Sequence, residues 1–173
     1  MNYINIIEYA AFHQPYFEKF NRQWIEKWFV MEPLDEFVLT NPGEAILKPG
    51  GAILMAEYDG EIVGTVALRK LDALTYEFTK MAVDEKFRRR GIAEKLTYAS
   101  FQKAKQLGAK QVVLYSNTKN AAAIMLYEKI GFRHLPVETG VYKRANVKMI
   151  MELYDNQTLA APGNKELNDL ILN

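Results

Sequence analysis

The stretch from Phe78 to Ala93, FTKMAVDEKFRRRGIA, constrains the fold of this chain more than any other. It begins as an apolar, β-prone run, passes through a short basic turn, and reaches Gly91 where a helix opens. A strand feeding a helix is half of a crossover unit, and the apolar run Gln111–Tyr115 supplies the second, parallel strand. The turn also carries chemistry. The first N–H groups of a helix lack intrahelical partners, and the helix dipole places partial positive charge there. Lys86, Arg88, Arg89 and Arg90 add four formal charges within five residues. Gly91 lets backbone approach where a Cβ would obstruct. The arrangement suits a ligand carrying a pyrophosphate. Taken alone, the same residues also describe a solvated basic turn at the start of an ordinary helix.

The rest of the chain builds around that unit. Tyr3–Tyr9 reads as a first strand. From His13 to Phe29 the aromatic residues Phe17, Phe20, Trp24 and Trp28 recur every three or four positions, predicting a helix with one buried stripe. That stripe is core, unless its far end helps wall a substrate cavity. Residues 31–51 are broken by prolines and glycines, with a short helix over Leu34–Leu39. Ala52–Tyr58 and Glu61–Leu68 flank Asp59–Gly60, a pair that favours a tight hairpin. Thr75–Val83 is a third long strand. Gly91–Leu107 and Asn120–Ile130 read as helices, closed by Gly108 and Gly131. Two last strands are expected at Val137–Tyr142 and Val147–Leu153. The order predicts an α/β domain: a mixed, mostly antiparallel sheet with a parallel β-α-β unit and helices on both faces. Residues 1–154 form the domain, and the polar tail 155–173 is expected to be peripheral or partly disordered.

Composition narrows the chemistry. Lys and Arg exceed Asp and Glu by only one, 22 against 21, so the basic turn is a local feature and argues against a nucleic-acid-coating protein. The absence of cysteine excludes disulfides, a thiol nucleophile and thiolate metal sites. Histidine is limited to His13 and His134, far apart, so no metal is expected. With no secretory signal and no apolar run long enough to span a bilayer, the expected compartment is the cytoplasm.

The second informative stretch is Asn120–Phe132, NAAAIMLYEKIGF. Together with Phe78–Ala93 it resembles the GNAT superfamily of acyl-CoA-dependent N-acyltransferases. The first segment is similar to that family's acetyl-CoA motif, a strand followed by Arg-x-x-Gly-x-Gly/Ala, matched by Arg88, Gly91 and Ala93. The second is similar to Asn-x-x-Ala-x-x-Leu-Tyr-x-x-x-Gly-Phe, matched by Asn120, Ala123, Leu126, Tyr127, Gly131 and Phe132. Ala93 departs from the commoner glycine.

The resemblance implies a single GNAT-like domain that moves an acetyl group from acetyl-CoA to a primary amine by direct attack in a ternary complex. It implies that Met81, Ala82 and Val83 pair with the pantetheine arm. It further implies that the turn, Arg88, Arg89, Arg90, Gly91, Ile92 and Ala93, holds the pyrophosphate. Asn120 has two uses, helix N-cap and cofactor contact. Tyr127 matches the general acid beside the thioester sulfur, and Glu77 the carboxylate that deprotonates the amine through water; His134 is an alternative base. The family's acceptor segments are matched by residues 24–39 and 137–146, where Glu32, Tyr142 and Arg144 are the candidate contacts. Acidic groups there favour a cationic amine, whereas Tyr142 and Arg144 could clamp a carboxylate. The acceptor is expected to be a small-molecule amine, an amino acid or a peptide N-terminus among the options. Neither nucleic acid nor membrane is an expected partner, and the chain is expected to be a monomer or homodimer. Two other readings remain at this point: a catalytically silent acyl-CoA-binding sensor or partner subunit, and a nucleotide binder using the arginine turn, which lacks Gly-x-x-x-x-Gly-Lys-Ser/Thr.

Overall fold

The computed structural model describes residues 3–138, 140 and 142–154. Seven strands form one sheet: β1 (Ile4–Glu8), β2 (Ala52–Tyr58), β3 (Glu61–Lys70), β4 (Thr75–Val83), β5 (Gln111–Ser116), β6 (Arg133–Leu135) and β7 (Val147–Glu152). Their spatial order is β1-β2-β3-β4-β5-β7-β6. All neighbours are antiparallel except β4 and β5, which are parallel and joined through α3 (Ile92–Gln106). Among the described residues, the remaining α-helices are α1 (Gln14–Trp28), α2 (Pro33–Thr40) and α4 (Ala121–Ile130).

Alternation along the central strands splits the core into two layers. Leu54, Val66, Leu68 and Phe78 point to one face and pack with Leu96 of α3 and Tyr127 of α4. Ile53, Met55 and Ala67 point to the other and pack with Phe17 and Ile25 of α1 and Leu39 of α2. Period-2 strands buried on both faces therefore require helices on both sides. Each fully buried Leu, Ile or Phe contributes roughly 1.5–3 kcal/mol, so neither layer is dispensable. The β2–β3 turn carries positive φ at Asp59 (50°) and Gly60 (85°), the conformation that a tight hairpin of this hand requires.

One expected strand lies elsewhere. The described residues within 137–142 are not in a strand; the partner of β7 is β6, Arg133–Leu135, pairing with Lys148–Ile150. Pro136 explains the stop, because it has no N–H to donate to the next rung. The expectation for residues 155–173 lies outside the described residues.

A bulge interrupts the regular pairing of β4 with β3. Thr65 of β3 faces Ala82 and Ala67 faces Thr79, so Lys80 and Met81 together oppose Val66. Lys80 takes up the extra residue with φ of +53°. Without it, Lys80 would follow the alternation of Tyr76 and Phe78 toward α3. The bulge instead turns its side chain toward α2.

Candidate active site

β4 and β5 pair only from Thr75–Glu77 to Gln111–Val113. Beyond those three rungs they part. β5 stays bonded along its other edge to β7, and β4 to β3. Each strand thus presents one unpaired edge to a wedge-shaped cleft, a site where extended backbone can be received. The closed end of the wedge is a cavity of about 70 Å³ bordered by Thr79 and Lys80 of β4, Tyr115 of β5, and Tyr127, Tyr142 and Arg144. It opens into a groove of about 460 Å³ that passes Met81, Ala82 and Val83 and reaches Arg88, Arg89 and Ala93, with Asn120–Ala123 as the opposite wall.

At the outer end, Arg89 (φ 61°) and Gly91 (φ 79°) both lie in the left-handed region and bring the chain sharply into α3. No side chain caps that helix start, so its first N–H groups are offered to the groove. A Cβ placed on Gly91 would meet nothing within 4 Å. Of the turn's arginines, Arg88 and Arg89 line the groove. Arg90 turns away: its guanidinium stacks 5.0 Å from the Tyr58 ring and donates to the Tyr58 hydroxyl at 2.8 Å. Ile92 is buried beneath the turn, so only its backbone faces outward chemistry. Asn120 occupies the N-cap position of α4 but makes no side-chain capping bond, and its side chain borders both cavity and groove.

Tyr127 sits where cavity and groove meet, its ring against Phe78 and Phe132 with centroids 5.6 Å away in each case. Burial pushes its phenol pKa above the ordinary value of 10.0, so the hydroxyl keeps its proton at neutral pH. Among the described residues, nothing accepts a hydrogen bond from that hydroxyl, which leaves the proton available to a ligand.

Glu77 is almost wholly buried, and its Oε2 is held by Arg69 at 2.6 Å from Nη2 and 2.8 Å from Nε. It lies behind Tyr142 and does not border the cavity. Burial first, then the charge of Glu77, push the Tyr142 phenol upward. His134 is exposed and pairs with Glu128 at 2.7 Å, away from the cleft.

Glu32, Tyr142 and Arg144 do come together, around Asp35, another of the acidic residues of the 24–39 segment, and Lys80, which the sequence did not single out. Asp35 on α2 is fully buried and accepts from Lys80 Nζ at 2.6 Å, from Arg144 Nη2 at 2.8 Å, and from the Glu32 N–H at 3.1 Å. Arg144 also reaches Glu32 Oε2 at 3.0 Å. The Tyr142 ring lies 5.4 Å from Lys80 Nζ and 5.1 Å from the Arg144 guanidinium carbon, within cation–π range of both. Burial would raise the Asp35 pKa, but hydrogen bonds from Arg144 and the charge of Lys80 override it and bring it to about 2. For Lys80, burial lowers the pKa and Asp35 only partly opposes it, since Arg144 shares that carboxylate and repels the ammonium. The signal for Lys80 was hidden by the bulge, because strict alternation assigns it to the opposite face. Among the described residues, no cluster of three His, Asp or Glu side chains could hold a metal ion, and no helix is long and apolar enough to cross a membrane.

The sequence profile of the acetyltransferase (GNAT) family matches residues 7–132. The uncharacterized N-acetyltransferase YjgM of Escherichia coli is 32% identical over 61% of this chain and 66% of its own length. N-acetylaspartate synthetase of Rattus norvegicus is 39% identical over 50% of this chain but only 29% of its own length. The chain thus spans less than two thirds of these relatives. Among solved structures, a GNAT-family acetyltransferase from Staphylococcus aureus Mu50 superposes with a TM-score of 0.78 at 26% identity, covering 88% of this chain and all of the other. A GNAT-family acetyltransferase from Elizabethkingia anophelis, with acetyl-CoA bound, gives 0.59 at 26% identity, covering 87% and 98%.

Proposed function

The chain belongs to the acetyltransferase (GNAT) family, and on that premise we propose that it transfers the acetyl group of acetyl-CoA to a primary amine of a small molecule. The observation that carries this reading is the wedge between β4 and β5, continuous from the uncapped start of α3 to the Tyr127 hydroxyl. The pyrophosphate of acetyl-CoA lies against the N–H groups of Arg89–Ala93, with Arg88 and Arg89 adding charge. The amides of the pantetheine arm pair with the free edge of β4 at Met81, Ala82 and Val83, and Asn120 contacts the arm from α4. The thioester then stands beside Tyr127, at the mouth of the small cavity. The acetyl-CoA bound to the Elizabethkingia relative supports the choice of ligand.

The chemistry needs a neutral amine, because an ammonium has no lone pair. Glu77 does not border the cavity, so it receives the ammonium proton through a water and the Tyr142 hydroxyl that stands between them. The amine nitrogen attacks the thioester carbon, a C–N bond forms, and the C–S bond breaks as Tyr127 gives its proton to the departing sulfur; the nitrogen sheds its extra proton to water and the phenolate regains one. In this reading transfer is direct, in a ternary complex, and the absence of cysteine rules out a thiol as acyl carrier. A silent acyl-CoA sensor would share the groove but has no use for a buried, protonated phenol at the thioester. The test is a thermal melt with acetyl-CoA and with ATP. A ligand at about 100 times its Kd adds roughly 2.7 kcal/mol. A rise of several degrees with acetyl-CoA and none with ATP is expected; an equal response to both contradicts the reading.

A further inference from the structure

We infer that the acceptor amine also bears a carboxylate, which Lys80 and Arg144 receive at the closed end of the cleft; the inference rests on the acyl-transfer reading above. Among the described residues, the charged side chains that border the cavity are Lys80 and Arg144, both cations. Their counter-ions, Asp35 and Glu32, are not on its wall. The cluster sums to zero charge, yet its positive members face the space and its negative members stand behind them. Position, not sum, sets the field a ligand meets, and in a site walled by Trp24, Phe29, Tyr115 and Tyr142 that field is weakly screened.

The donors are also unspent. Among the described residues, Lys80 Nζ donates to one oxygen only, Asp35 Oδ1, while its side chain is 3% exposed. An ammonium has three N–H bonds, so two remain for something in the cavity. Such a group is costly to bury unless a ligand completes its shell. A carboxylate supplies the matching acceptors and charge. In an α-amino acid the carboxylate is two bonds from the amine, so anchoring it at Lys80 places the nitrogen within reach of a thioester held beside the neighbouring Met81. The β4 bulge is what brings Lys80 to this face. A polyamine, by contrast, would bring a second positive charge against two cations.

The experiment measures free thiol released from acetyl-CoA, for each common amino acid and for its carboxyl amide and decarboxylated amine, with acetyl-CoA affinity followed by calorimetry. At least one amino acid is expected to exceed both of its uncharged-end counterparts by tenfold or more in kcat/KM. Lys80→Met is expected to erase that preference, mainly through the acceptor KM, while acetyl-CoA affinity stays within twofold. Arg144→Gln provides a second variant should Lys80→Met fail to fold, and the wild-type comparison needs neither. Amides or plain amines used as well as the acids, or a preference that survives Lys80→Met, overturns the inference. Acetyl-CoA binding with no turnover of any carboxylate-bearing acceptor overturns it too and leaves the cofactor reading standing. Failure of acetyl-CoA to bind overturns both.

Discussion

Replacing Asp35 by asparagine removes a fully buried carboxylate shared by Lys80, Arg144 and the Glu32 N–H. The substitution keeps the shape but offers only one acceptor oxygen, and its NH₂ group then faces a cation as donor against donor. Two routes give the size of the loss. Removing one partner of a buried pair costs about 3–5 kcal/mol. Proton linkage, from an ordinary 3.8 down to about 2 in the folded state, gives about 2 kcal/mol at roughly 1.4 kcal/mol per unit. We expect about 3 kcal/mol near neutral pH, or roughly 6–12 °C in Tm for a chain of this size. The sign with pH follows from the depressed pKa. The Asp35 contribution is complete above its unfolded value of 3.8 and is lost as pH falls through about 2. The gap between wild type and Asp35→Asn should therefore be full at neutrality and close over that acid window. Urea unfolding across a pH series measures it. A gap below about 1 kcal/mol at neutrality, or one that widens on acidification, refutes the claim that Asp35 is held ionised by two cations.

Other consequences are more local. Tyr127→Phe keeps the ring packed edge-on against Phe78 and Phe132 and removes only the hydroxyl; kcat should fall by about a hundredfold or more with acetyl-CoA affinity unchanged by calorimetry, and an undiminished kcat excludes the hydroxyl from the reaction. Glu77→Gln should lower kcat/KM for the acceptor near neutrality without weakening acetyl-CoA, as steady-state kinetics would show. Gly91→Val meets no packing obstacle, but its backbone sits at φ of +79° and its side chain would project where the pyrophosphate is proposed. A loss of about 1–2 kcal/mol of stability and at least tenfold in acetyl-CoA affinity is expected, from melts and calorimetry on the same sample.

Much of this was legible in the residues. The hairpin at Asp59–Gly60, the strand–turn–helix through Gly91 and the helix ending at Gly131 follow from turn chemistry and periodicity, which act over a few residues. The turn at the start of α3 and the place of Tyr127 came out on one groove because the two motifs carry fixed spacings. What escaped were features set by tertiary packing. Pro136 ends β6 at Leu135, and the described residues of the β-prone run at 137–142 are not in a strand. The bulge at Lys80 inverts the alternation, and no local pattern announces it. Asp35 and Arg144 are 109 residues apart, so their pairing is invisible until α2 and the β6–β7 connection are brought together. Arg90, one of three adjacent arginines, is claimed by Tyr58 at the end of β2.

If acetyl-CoA occupies the groove from the α3 turn to Tyr127, amide hydrogen exchange will record it at the backbone itself. Saturating acetyl-CoA is expected to slow exchange at Met81–Val83 on the free edge of β4 and at Arg89–Ala93 in the turn. Exchange along β1 and β2, remote from the groove, should not change. Binding that protects neither segment, or no binding at all, would contradict that occupancy.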